Sequence, residues 1–161
     1  MAKTLDDNPD IDFVYGNYTI VPNFGNTEGE YVDETGRENE LTTGMILGPF
    51  FMFRKSIIEK SGVFDEQLVS GADYDLALRL AYNGKGLHLP ITLGYYLDEG
   101  LGASTNPNSK QPIERTVIEM RYNIRILEPQ LMPHTKEYDI ENIIVDEEKI
   151  PVSNLRWTTQ L

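Results

Sequence analysis

Two carboxylates, Asp73 and Asp75, open the segment DYDLALRLAYN, directly after a Ser70-Gly71 turn. Leu76 and Leu80, and Ala77 and Ala81, recur four residues apart, which marks one face of a helix, and Gly84 follows as its stop. The spacing predicts a helix over Asp73–Asn83 with both acids in its first turn. The free N–H groups and the dipole at that end favour an ionised carboxylate. A rigid element then holds charged oxygens at a fixed point, as a binding group or a proton-accepting base requires. The commoner use of Asp at a helix start is capping. Arg79 lies four residues beyond Asp75, where an ion pair on a helix surface is worth about 0.3 kcal/mol.

Elements that must position this helix are legible on both sides. Ile11–Val21 is rich in β-branched and aromatic residues and predicts a strand with a bend at Gly16-Asn17. Pro22–Asn39 reads as a polar loop or hairpin, and Leu41–Met45 as a short helix or irregular segment. Pro49–Phe53 is a short apolar run that fits a buried strand. Ser56 and Glu59 match a capping box, with Gly62 as a left-handed helix end. Gly86–Leu89 and Ile91–Leu97 predict two strands divided by Pro90. Asp98–Pro112 is a long Gly/Ser/Asn/Pro loop. Ile113, Val117, Met120, Ile124 and Leu127 predict a helix over Ile113–Leu127, ended by Pro129 and Pro133. Met1–Asp7 reads as helix turns or a tail, stopped at Asn8-Pro9. Beyond Pro133 the chain is acidic, with a strand expected around Ile140–Val145 or a tail wrapping the body. Strands alternating with helices predict an α/β architecture.

Composition narrows the classes of function. A chain of 161 residues makes one domain. Its net charge of −12 argues against nucleic acid and anionic membrane surfaces, which need a basic face. With no cysteine, thiol catalysis and zinc–thiolate sites are excluded. The N-terminus has no apolar signal core, and no stretch approaches the roughly 20 apolar residues of a membrane span. A cytoplasmic location is therefore expected. Arg54-Lys55 is a tight basic pair that could meet a phosphate, though surface exposure is the commoner reading. His134 has no second ligand near it in sequence. Glu137, Asp139, Glu141 and Asp146–Glu148 read as a solvated acidic face.

Four stretches, taken in order, resemble the second half of a family 2 glycosyltransferase with the GT-A fold. They are DFVYGNY at Asp12–Tyr18, GPFFMFRKSIIEKSGVFDE at Gly48–Glu66, GADYDLALRLAYNGKG at Gly71–Gly86, and the Tyr95-Tyr96 pair ending the next strand. The resemblance covers about Leu5–Leu127. It implies an α/β fold, a partial GT-A mixed sheet with flanking helices. Residues 1–128 would form the C-terminal half of the transferase domain. Residues 129–161 would be an acidic extension that covers a sheet edge or mediates dimerisation.

The family moves a sugar from a nucleotide donor to an acceptor hydroxyl, here with inversion. The resemblance places its catalytic base at Asp73 and its acceptor-binding positions at Gly48, Pro49, Gly71, Asp75 and Tyr96. The family's Glu before the base is Ala72 here. A His that many relatives carry after the Tyr-Tyr strand is replaced by Leu97-Asp98-Glu99. The nucleotide-binding half, with its Asp-x-Asp metal motif, has no counterpart, and Asp6, Asp7 and Asp10 lie where the family has a helix end and loop. The intact enzyme would use a nucleotide-sugar and a divalent metal, Mn or Mg. No cofactor is expected on this fragment, which would be inactive alone. Its expected partners are a saccharide acceptor and either a second copy or the missing N-terminal half. Tyr95, Tyr96 and Trp157 have ring faces that suit sugar C–H surfaces, although packing is their commoner use. The alternative reading is a non-catalytic binding or assembly module that keeps half the fold.

Overall fold

The expected strand at Ile11–Val21 is β1 (Phe13–Val21), and the sheet is built around it. The computed structural model describes residues 1–37 and 44–121, together with the strands at 142–145 and 148–151. On one side β1 pairs along its whole length with β4 (Gly86–Leu97), in parallel. Its other side is shared. β3 (Phe51–Phe53) runs antiparallel to the first part of β1, with Val14 opposite Met52, and β2 (Glu30–Val32) to the last part, with Thr19 opposite Tyr31. The result is a small mixed sheet whose central strand has neighbours on both sides. Phe13, Val14 and Tyr15 are accordingly all buried, without the alternation of a half-exposed strand. Pro22–Asn39 thus contains the return strand of a hairpin. Among the described residues, β4 on one flank and β2 and β3 on the other have no further strand partner.

Alternation of side chains along β1 sends its residues into two cores. Phe13 and Tyr15 join Leu76, Ala77 and Leu80 of α3 (Ala72–Asn83) and Ile118 of α4 (Gln111–Arg121). Val14 points the other way, to Leu5 of α1 (Ala2–Asp7) and to Ile11, with Leu87 and Leu89 alongside. Helices therefore flank both faces. The parallel β1–β4 pair needs a long crossover. The chain makes it through β3, a 3₁₀ turn at Lys55–Ile57, α2 (Ile58–Ser61) and α3.

Five expectations change in detail. Pro90 does not divide two strands: β4 is continuous, and the register jumps from Leu89 opposite Gly16 to Thr92 opposite Asn17, so Pro90 falls in a bulge where its missing N–H breaks no ladder bond. The bend expected at Gly16-Asn17 is the β1 side of that irregularity. The Ser56 capping box does not form, because Ser56 lies inside the 3₁₀ turn and makes no cap bond. The β3 run is less buried than its apolar residues suggest, with Met52 exposed. Gly84 ends α3 in extended rather than left-handed geometry, and it must be glycine for a different reason: a Cβ there would lie 2.2 Å from Ile57 Cδ1 and 2.9 Å from Asp12 Cβ. The described residues of the tail form two strands, β5 (Asn142–Val145) and β6 (Glu148–Pro151), which pair with each other in a separate sheet instead of with the main one.

Arg54 is neither a surface cation nor a phosphate ligand. Its guanidinium donates to the carbonyls of Ile11 (2.8 Å), Asn8 (3.2 Å) and Leu5, so it ties the end of α1 and the approach to β1 to the end of β3. Pro112 sits in the first turn of α4, which therefore starts earlier than expected, in the part of a helix that needs no N–H from that residue. Ile124, Leu127, His134, Glu137, Asp139, Glu141, Asp146 and Trp157 lie outside the described residues.

Candidate functional site

A cleft of about 390 Å³ opens where the C-terminal parts of β1 and β4 meet the first turns of α3 and α4. Tyr18 and Ile20 of β1 and Tyr96 of β4 form one wall. Gly48 and Pro49, before β3, form another. Ser70, Gly71, Asp73 and Tyr74 contribute the mouth of α3, and Ser104, Gln111 and Arg115 close the remaining side. Five of the six residues singled out from the sequence, Gly48, Pro49, Gly71, Asp73 and Tyr96, thus meet at one cleft from three separate segments.

Asp75 is the exception, and the acceptor-binding expectation for it is corrected. Its side chain turns inward and is fully buried, bonded to Arg79 at 2.6 Å and to Arg121 at 2.5 Å. It cannot reach a ligand in the cleft. The Asp75–Arg79 pair is correspondingly no weak surface bridge.

Asp73 faces the opening. Oδ1 accepts the N–H of Tyr74 at 2.8 Å, and the side chain is exposed. The protein atoms packed around it still raise its pKa above the ordinary Asp value, against the lowering effect of the backbone N–H bonds. A carboxylate shifted upward is, in its ionised form, a better proton acceptor than an ordinary Asp.

The turn that carries Asp73 is held from a distance. Glu114, buried in the first turn of α4, accepts the N–H groups of Val69 (2.8 Å), Ser70 (2.7 Å) and Gly71 (2.6 Å). Gly71 is the cap residue of α3, so one carboxylate satisfies three backbone donors just ahead of it. Sequence reasoning missed Glu114. An acid in a first helical turn signals only a dipole contact, and nothing local points to partners more than forty residues away.

Gly48 has φ +60°, and a Cβ there would lie 2.7 Å from Tyr18 Cε1. The bare backbone lets the Tyr18 ring lie against the turn, tilted on Phe50 and edge-on to Tyr96 with centroids 6.5 Å apart. Gly48→Ala is expected to lose about 1–2 kcal/mol through the left-handed backbone alone, with the ring clash added. Urea denaturation measures the loss, and a changed near-ultraviolet circular dichroism spectrum reports the displaced Tyr18.

Tyr74 is buried to 5% exposure, and its hydroxyl has no hydrogen-bond partner among the described residues. Burial first, then the charge of Glu119, pushes its pKa up to about 12. Unfolded chain loses this proton near the ordinary value of about 10, whereas folded protein keeps it. Stability therefore falls as pH rises across that window, by roughly 3 kcal/mol at its upper end. Urea midpoints measured below and above the window should diverge in the parent and diverge less in Tyr74→Phe.

The metal implied by the resemblance does not fit here. Asp73 is the only carboxylate among the described residues lining the cleft, and no group of three His, Asp or Glu side chains among the described residues is placed to hold an ion. Asp10 pairs with Lys85 at 2.7 Å, and Asp12 accepts the Lys85 N–H at 2.8 Å, so both acids tie β1 to the start of β4. His88 bonds Asn17 through Nε2 at 2.7 Å and is not among the lining residues. No described helix is long and apolar enough to cross a membrane. Comparison of the chain with protein-family models, with curated proteins and with solved structures finds no match.

Proposed function

We propose that the cleft is the acceptor side of a sugar-transfer site, in the manner of a family 2 glycosyltransferase, with Asp73 as its base. The observation that carries this reading is the meeting of Gly48, Pro49, Gly71, Asp73 and Tyr96 around one opening. An acceptor hydroxyl lies against the Asp73 carboxylate. As its oxygen attacks the anomeric carbon of the donor sugar, its proton passes to Asp73, and the bond from that carbon to the diphosphate oxygen breaks. Attack from the face opposite the departing group inverts the anomeric centre. Tyr18 and Tyr96 supply aromatic surface for the acceptor ring, and Ser70, Ser104 and Gln111 supply hydrogen-bonding groups.

On this reading residues 1–128 make up the acceptor side alone. The nucleotide-binding half and any metal ligands are then supplied from outside them, and the flanks of the sheet, which have no further strand partner among the described residues, offer places for that half or a second copy to add. The test is saturation-transfer NMR of the chain with a panel of mono- and disaccharides. Saccharide signals that weaken in Tyr96→Ala are expected. A panel in which no sugar gives a signal overturns the reading.

A further inference from the structure

We infer that the cleft takes neutral, polyhydroxylated acceptors and rejects anionic ones, with the charge of Asp73 as the discriminating feature. The inference rests on the acceptor-site reading and adds the chemical class of the ligand. Among the described residues, the charged side chains that line the cleft are those of Asp73 and Arg115. Arg115 is already matched, its Nε lying 2.9 Å from the Glu119 carboxylate on the next turn of α4, with both groups largely buried. It therefore brings little net positive charge to a ligand. Asp73 is bonded by the Tyr74 N–H and keeps its charge facing the opening.

The other usual attraction for an anion is partly taken. Free N–H groups at a helix start draw phosphates and carboxylates. At α3 the N–H of the cap residue Gly71 is filled by Glu114 and that of Tyr74 by Asp73 Oδ1, and Glu114, which also takes the N–H groups of Val69 and Ser70 in the preceding turn, adds a second negative charge behind the wall. What remains for a ligand is polar but uncharged: the side chains of Tyr18, Tyr96, Ser70, Ser104 and Gln111. That is a set of donors, acceptors and ring faces suited to a polyol. The net charge of −12 repels anions at longer range.

Even at the dielectric constant of water, a like charge about 4 Å from Asp73 weakens binding about fivefold, and more at a protein surface. The experiment compares glucose, galactose and N-acetylglucosamine glycosides with glucuronate and galacturonate glycosides, titrated by NMR into the chain and into Asp73→Asn. Expected is about tenfold tighter binding of the neutral sugars at low salt. That gap should shrink in Asp73→Asn and at high salt. Equal or tighter binding of the uronates overturns the inference and leaves the acceptor site standing. A gap that persists unchanged in Asp73→Asn also overturns it. Absence of binding by every sugar overturns both.

Discussion

If Asp73 is the base of the proposed sugar transfer, Asp73→Asn is expected to lower its rate by about a thousandfold, within the range that loss of a general base produces, while acceptor binding persists. The measurement is kcat and KM for transfer by the chain assembled with the nucleotide-binding half that the proposal calls for. Asn keeps an oxygen for the Tyr74 N–H, so the first turn of α3 need not move, and the exposed side chain contributes little to folding. The fall should therefore appear in kcat, with KM for the acceptor nearly unchanged. A pH profile gives an independent readout. The surroundings raise the Asp73 pKa, so activity should fall with acid at a pH above that of an ordinary Asp, as the base takes up its proton. A variant that keeps a tenth of parent activity would remove Asp73 from the role. Saccharide binding with no transfer in the assembled enzyme, parent or variant, would favour the non-catalytic module.

The pattern of apolar residues was enough to place β1, α3 and the body of β4, because each buries a run whose period matches its geometry. The cleft was legible as a set of residues through the order of four motifs, not through any single one. What escaped was everything set by distant partners. Asp73 and Asp75 look alike in sequence, two acids in one helical turn. Which of them faces solvent is decided by where α4 packs, and therefore by Arg121, a residue far along the chain. Arg54 looked like a surface cation because its three acceptors are backbone carbonyls, which leave no trace in side-chain pattern. Pro90 looked like a strand break because a bulge is a property of the pair, here of β4 against Gly16-Asn17.

Asp75→Ala should do the reverse of Asp73→Asn, destabilising the fold by about 3–5 kcal/mol, the range found when one partner of a buried ion pair is removed. Asp75 is fully buried between Arg79 and Arg121, and Arg121 also lies 3.2 Å from the Asp65 carboxylate. These charges lie in a space that water does not reach. Without Asp75, Arg79 loses a buried carboxylate partner and Arg121 loses the nearer of the contacts it makes with Asp75 and Asp65, so buried positive charge is left with less compensation. A typical domain has about 5–15 kcal/mol in all, so this single change brings it near unfolding. Asp75→Asn keeps one oxygen acceptor but turns an amide NH2 toward the other guanidinium, and should fall between the parent and Asp75→Ala. Asp7→Ala provides the contrast: its pair with Lys3 has the same 2.6 Å separation but is exposed on both sides, and should contribute under about 1 kcal/mol. Urea denaturation of the four proteins orders them, and equal midpoints for Asp75→Ala and the parent would overturn the argument. The consequence reaches the site, because α4 is held against α3 at two places, by Arg121 on Asp75 and by Glu114 on the turn before Asp73. Loosening the first contact shifts the helix that carries the second. Two carboxylates two residues apart are thus expected to fail in opposite ways, one losing chemistry with the fold intact, the other losing the frame that positions the first.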